Sequence, residues 1–127
     1  MNAPRILYCH CAYAQVVPPE VKAAVLRKLC EAGVSFEAVA DLCEASARRD
    51  PVLRRLASDG SIKIAACFPR AVKWLFAAAQ APLPVESTEV LNMRTQTADE
   101  IVANLLDAAV TPNLNEAPVV ATPVAEK

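Results

Sequence analysis

The chain has 127 residues, of which 54% are apolar, and a formal net charge of −1. That size predicts a single domain with a proper hydrophobic core, and the near-neutral charge argues against nucleic acid or an anionic membrane surface as the main partner. No apolar run reaches the roughly 18–20 residues that span a bilayer, and the N-terminal segment lacks the order of a signal peptide. We therefore expect a cytoplasmic protein without membrane insertion.

The first predicted element is a buried strand that begins near Arg5 and ends in two cysteines, Cys9 and Cys11. Side chains alternate along an extended chain, so both thiols should point the same way and His10 the opposite way. Two thiols projected together from a strand end make half of a metal or cluster site. The same alternation argues against His10, the only histidine, as a substitute ligand.

A first helix is predicted to begin at the proline pair of residues 18–19 and to run to about Ala32, with Gly33 just past its end. Its apolar residues recur at helical spacing and should face the core. Cys30 flanks that apolar stripe late in the helix, away from the other cysteines. We predict that Cys30 is a packing residue.

Residues 36–42 are predicted to form a second strand that ends at Cys43, and residues 61–66 a third strand that ends at Cys67. Between them, Asp50 and Pro51 suit the N-cap and first position of a short helix. Pro69 opens a further helix over residues 70–80, in which Trp74 and Phe76 are expected to be core or covering contacts.

A fourth strand is predicted over residues 89–94, and Thr97 with Glu100 forms the capping box of a last helix over residues 98–109. From residue 111 onward the composition changes to Pro, Val, Ala, Asn and Glu, with no helical or strand period. This composition is typical of a disordered tail. We expect an α/β domain over residues 1–110 and a disordered C-terminal tail over residues 111–127.

The alternation of strands and helices predicts an α/β fold of three layers: an open parallel sheet of about four strands with helices on both faces. The two glycines both suit turns, so no Gly-rich loop can cradle a phosphate. The expected fold is therefore Rossmann-like without a nucleotide-binding loop. The cysteines at the strand ends fall on the edge where open α/β sheets bind ligands.

Five cysteines in a cytoplasmic domain are more typical of metal binding or catalysis than of disulfides. Four thiols at one sheet edge suit zinc or an iron–sulfur cluster. The spacing, a C-x-C followed by two distant single cysteines, lacks the paired knuckles of structural zinc sites and favours a wider object such as a cubane cluster. The plain alternative is four small buried hydrophobic residues.

Four segments together resemble the N-terminal iron–sulfur domain found in the flavin-containing subunit of heterodisulfide reductase: Y-C-H-C at residues 8–11, L-C at 42–43, A-A-C-F-P-R at 65–70 and L-N-M-R at 91–94. The resemblance implies a [4Fe–4S] cluster that serves in electron transfer and is held by Cys9, Cys11, Cys43 and Cys67. Phe68 stands where that family usually has serine, and the family's flavin domain has no counterpart here. The resemblance thus implies an electron carrier or a component of a larger oxidoreductase rather than a stand-alone enzyme.

Three functional hypotheses remain open from the sequence. The first is a [4Fe–4S] protein that exchanges electrons with a larger oxidoreductase. The second is a zinc-binding or thiol-only interaction module without a redox role. The third is a thiol redox enzyme that uses Cys9 or Cys67 as its nucleophile, since the helix that begins at Pro69 and the Arg70 cation are expected to lower the pKa of a nearby thiol.

Overall fold

The computed structural model of the chain describes residues 4–12, 17–58 and 60–114. Within these residues, four strands form one sheet in which all neighbours are parallel. In chain order the strands are β1 (Arg5–Cys9), β2 (Glu37–Val39), β3 (Ile62–Ala66) and β4 (Thr88–Asn92). Their order across the sheet is β2-β1-β3-β4, so the winding of the chain reverses between β1 and β3.

The described residues form five helices, which are α1 (Pro19–Ala32), α2 (Leu42–Ala47), α3 (Pro51–Ala57), α4 (Pro69–Ala78) and α5 (Ala98–Leu106). Helix α1 packs on α5, whereas α2 and α3 pack on α4. Because crossovers between parallel strands are almost always right-handed, this strand order places the two groups on opposite faces of the sheet. The predicted three-layer α/β fold is therefore confirmed. None of these helices combines the length and the apolar character that crossing a membrane would need.

The helix ends follow the local signals in the sequence. Proline occupies the first turn of α1, α3 and α4, where its missing N–H leaves no hydrogen bond unmade. Helix α1 ends at Gly33, whose φ of 71° lies in the left-handed region that glycine adopts without strain. Thr97 and Glu100 form both hydrogen bonds of the predicted capping box at the start of α5.

The region around Cys43 differs from the prediction. Strand β2 is only three residues long and ends at Val39, and Cys43 lies in the first turn of α2 instead of at a strand end. The cause is Asp41, whose side chain accepts hydrogen bonds from the backbone N–H groups of Cys43 and Glu44 and so caps a new helix. The apolar character of residues 36–42 suggested one continuous strand, but Leu42 is buried as a helical residue.

A buried row of side chains crosses the middle of the sheet and fixes its register. Leu7, Ile64 and Val90 are adjacent on β1, β3 and β4, and none is more than 1% exposed. Val25 and Leu29 of α1 are fully buried in the same core. Burial of such side chains supplies about 1.5–3 kcal/mol each, so the carboxyl ends of β1 and β3 are held firmly side by side.

A buried lysine lies at the amino end of the sheet. Lys63 of β3 donates hydrogen bonds to the carbonyl oxygens of Asn104 and Asp107, the latter at 2.6 Å, at the carboxyl end of α5. Its Nζ also lies 3.6 Å from a carboxylate oxygen of Glu89 on β4. The charge is thereby stabilised although the side chain is fully buried.

The first residues of the predicted tail pack against the sheet. The side chain of Asn113 accepts a hydrogen bond from Val90 N at 2.8 Å and donates one to Val90 O at 2.7 Å. Leu114 is buried in the core. Residues 111–114 therefore pair with the outer edge of β4, while the rest of the predicted tail, residues 115–127, lies outside the described residues.

Candidate metal centre

Strand β1 delivers the first two cysteines. Cys9 is its last residue, and its buried Sγ accepts a hydrogen bond of 3.3 Å from Leu42 N. Cys11 lies two residues beyond the strand and has a φ of 55°, so it is not extended as predicted. Both thiols nevertheless line one cavity. They converge because the backbone turns after Cys9, not because a strand continues through Cys11.

His10 is turned toward Tyr8 and is not among the residues that line this cavity. The Tyr8 hydroxyl lies 2.9 Å from His10 Nδ1 and donates to the carbonyl oxygen of Lys22, also at 2.9 Å. A phenol has one proton to donate, and Tyr8 donates it to Lys22. His10 Nδ1 therefore carries the other hydrogen atom and donates it to the Tyr8 hydroxyl oxygen. The predicted separation of His10 from the thiols is confirmed.

Cys43 and Cys67 come from two other segments of the chain. Cys43 is the second residue of α2 and is held by the Asp41 cap, with a distance of 2.8 Å between Cys43 N and Asp41 Oδ1. Cys67 directly follows β3 and precedes Phe68, the N-cap residue of α4. Cys43 is exposed and Cys67 is half-buried, so this part of the site faces the surface.

The four predicted ligands line a single cavity of about 20 Å³. Its remaining lining comes from Val17, Asp41, Leu42, Ala66 and Leu75. The cavity lies at the carboxyl ends of β1 and β3, between which the strand order reverses. In open α/β sheets this switch point is where ligands bind. The fold thus gathers cysteines from three separate segments at the position best suited to a ligand.

Burial raises the pKa of three of these thiols. It raises the pKa of Cys9 to about 11, with the Leu42 N–H acting in the opposite direction. Burial is also the largest cause of the raised pKa of Cys43 and of Cys67; for Cys67, the Phe68 N–H and the Arg94 cation lower the pKa without offsetting burial. The expectation of a low thiol pKa beside α4 is therefore wrong for the metal-free chain.

This result bears on the third hypothesis. A thiol that acts as a nucleophile near neutral pH needs a depressed pKa, because the thiolate is the reactive form. Cys9 and Cys67 show the opposite shift. Metal coordination has a different requirement, since a bound metal displaces the thiol proton itself. The electrostatics thus favour ligands over nucleophiles.

The donor set fits a thiolate-bound centre, but the space between the donors is small. A cavity of about 20 Å³ has room for little more than one water molecule. Across residues 4–12, 17–58 and 60–114, no three His, Cys, Asp or Glu side chains stand as a ready-made metal group. A metal or cluster would therefore need the thiols to turn toward a common centre and the cavity to widen.

Two further predictions are settled by exposure. Cys30, predicted to be a packing residue, is exposed on α1, because its position beside the apolar stripe turns it away from Val25 and Leu29. Phe76 is fully buried in the core, whereas Trp74 is 42% exposed on α4.

The sequence interpretation also missed Asp41 as the residue that positions Cys43. Its signal was an aspartate two residues before a cysteine, at N-cap spacing.

No family model, curated protein or solved structure matches this chain. The resemblance to the N-terminal iron–sulfur domain of the flavin-containing heterodisulfide reductase subunit therefore stays a prediction that depends on the sequence segments alone.

Proposed function

We propose that this chain is a small iron–sulfur protein that passes electrons to or from a larger oxidoreductase. Cys9, Cys11, Cys43 and Cys67 would hold one [4Fe–4S] cluster, which takes four cysteine thiolates. The observation that carries the proposal is that these four cysteines line one cavity at the switch point of the sheet. When bound, the cluster supplies one-electron chemistry, and the chain itself makes and breaks no substrate bond.

The groups around the thiols suit an electron-rich centre. Leu42 N–H already donates to Cys9 Sγ, and the first turns of α2 and α4 lie beside Cys43 and Cys67. Hydrogen bonds to the sulfurs and nearby positive charge raise the reduction potential of such a centre. Because burial raises the pKa of Cys9, Cys43 and Cys67, loading would release protons from these thiols and become more favourable as pH rises.

Metal analysis and EPR spectroscopy of anaerobically prepared protein test this proposal. We expect about four iron and about four sulfide per chain after reconstitution, a brown colour, and an EPR signal that appears on reduction with dithionite. A colourless protein that gives no EPR signal under these conditions would contradict the proposal.

The size of the cavity favours one second candidate, a single zinc ion held by the same thiols. One tetrahedral ion with Zn–S distances of about 2.3 Å needs less widening of a cavity of about 20 Å³ than a cubane cluster does. The protein would then be a zinc-stabilised interaction module. One zinc per chain, together with no signal on reduction, identifies this case.

A further inference from the structure

An open apolar groove lies directly beside the thiols. It has a volume of about 490 Å³, and its lining consists of Cys43, Cys67, Phe68, Arg70, Ala71, Trp74 and Leu75. We call it the Phe68–Trp74 groove. Cys43 and Cys67 also line the thiol cavity, so the groove and the candidate centre share a wall. A molecule seated in the groove would touch two of the four ligands.

The two large aromatic side chains of this groove remain exposed to solvent because α4 packs on the core with its other side. Val72 and Phe76 point into the core and are fully buried, whereas Phe68 is 44% and Trp74 42% exposed. Among the described residues, only Leu106 is a comparably exposed large apolar side chain. Two exposed aromatic residues on one groove are typical of an interaction surface, because aromatic side chains are enriched in interface cores.

The rim of the groove is basic. Arg70 lines it, and Arg94 holds its guanidinium 5.1 Å from the centre of the Phe68 ring. Neither guanidinium forms a salt bridge with any residue that the structure describes. Helix α4 contains no acidic residue, and the nearby Glu44 is paired with Arg48 at 2.8 Å. This face is positive although the whole chain has a net charge of −1.

We propose that the Phe68–Trp74 groove docks an acidic electron-transfer protein. Its apolar patch would cover the two aromatic side chains, and its carboxylates would meet Arg70 and Arg94. Unpaired surface cations speed the approach of an acidic partner. The inference depends on the proposed function for its purpose, but docking can be measured without a cluster.

Trp74 provides the measurement, because it is the only tryptophan in the chain. The protein, both cluster-loaded and metal-free, is titrated with an acidic [2Fe–2S] ferredoxin that lacks tryptophan, and the quenching of Trp74 emission is followed. We expect saturable quenching that weakens at least about tenfold when salt rises from about 0.05 to about 0.5 M. The double variant R70E/R94E should weaken it by a similar factor, and Phe68→Ser should also weaken it.

The double variant R27E/K28E is the matched control, since it reverses two charges on α1 whose described ion pairs are with Glu31 and Asp99. It should leave the quenching unchanged. Absence of saturable quenching, or equal quenching by wild type and R70E/R94E, overturns the docking proposal. A dimer in sedimentation velocity that Phe68→Ser dissociates and R70E/R94E does not would also overturn it, in favour of a second copy. If this chain docks the ferredoxin but never takes up iron, the proposed iron–sulfur function is contradicted and the docking proposal is not.

Discussion

The two ends of the parallel sheet are built on different principles. At the amino end, Arg5 and Arg55 both bind the Glu37 carboxylate, at 3.2 and 2.8 Å, and the buried Lys63 is satisfied by the end of α5. At the carboxyl end, cysteine thiols lie together around a small cavity, and burial holds the pKa of Cys9 near 11. The amino end stabilises the fold, whereas the carboxyl end gathers the thiols that we propose as the ligands of a metal centre.

The largest effect is expected from removing one thiol at the carboxyl end. Cys67→Ala should lower the iron content well below about four per chain, because it removes one of the four thiolates that would hold the [4Fe–4S] cluster. Iron and sulfide analysis of the anaerobically reconstituted variant measures this. Cys30→Ala is the matched control, since Cys30 is exposed on α1, and it should bind as much iron as wild type. Equal iron in both variants would contradict the site.

The second largest effect is expected from a substitution at the amino end. Lys63→Met leaves the Glu89 carboxylate and the carbonyls of Asn104 and Asp107 without their buried partner, which should lower the free energy of unfolding by about 3–5 kcal/mol. Urea denaturation measures the loss. Lys28→Met, which removes a surface pair with Asp99, should cost no more than about 1 kcal/mol. Similar losses of unfolding free energy in the two variants would contradict the claim that the buried contacts at the amino end stabilise the fold.

A pH titration of stability probes the carboxyl end without metal. The pKa of Cys9 rises from 9.0 to about 11 on folding, so the neutral thiol stabilises the folded chain below pH 9 and this contribution disappears as pH rises toward 11. At about 1.4 kcal/mol per pH unit, the metal-free wild type should lose about 2–3 kcal/mol more than Cys9→Ala over that range. Denaturation curves at several pH values measure it, and parallel pH profiles for the two proteins would refute the assignment.

The smallest effect is expected from removing single helix caps, and it distinguishes a loss of stability from a loss of metal binding at the carboxyl end. Asp41→Ala and Thr97→Ala each remove a helix cap and should each cost about 1 kcal/mol in unfolding free energy. Only Asp41→Ala should also lower iron content, because Asp41 positions the backbone of Cys43. Asp41→Asn, which can still cap, should restore loading. The iron content of the two alanine variants is compared in samples that contain the same fraction of folded protein. Equal iron in both variants would show that the cap does not position Cys43.

The features that the sequence predicted correctly are those governed by neighbouring residues. Proline at the start of α4 and glycine after α1 act within a few residues, so those helix ends were predictable. Cys67 was correctly placed after a strand because β3 is short and uniformly buried. The fold class followed from the alternation of such elements.

The features that were missed depend on competition between local structures or on tertiary packing. Residues 36–42 are compatible with a strand, but Asp41 accepts hydrogen bonds from the backbone N–H groups of Cys43 and Glu44 and so starts a helix that contains Cys43. Exposure of Cys30 and Trp74 depends on a few tens of degrees of helix rotation against the sheet, which apolar spacing alone does not resolve. The order of the strands, and hence the switch point, depends on which crossovers form.

Thiol alkylation followed by mass spectrometry tests most directly whether one centre gathers the four cysteines. In the metal-free chain, Cys30 and Cys43 are both exposed and both should react with iodoacetamide. In the loaded protein we predict that Cys30 alone reacts, while Cys9, Cys11, Cys43 and Cys67 become protected together and are released together by a chelator. Continued labelling of Cys43 or Cys67 in protein that carries its full iron would contradict a shared centre.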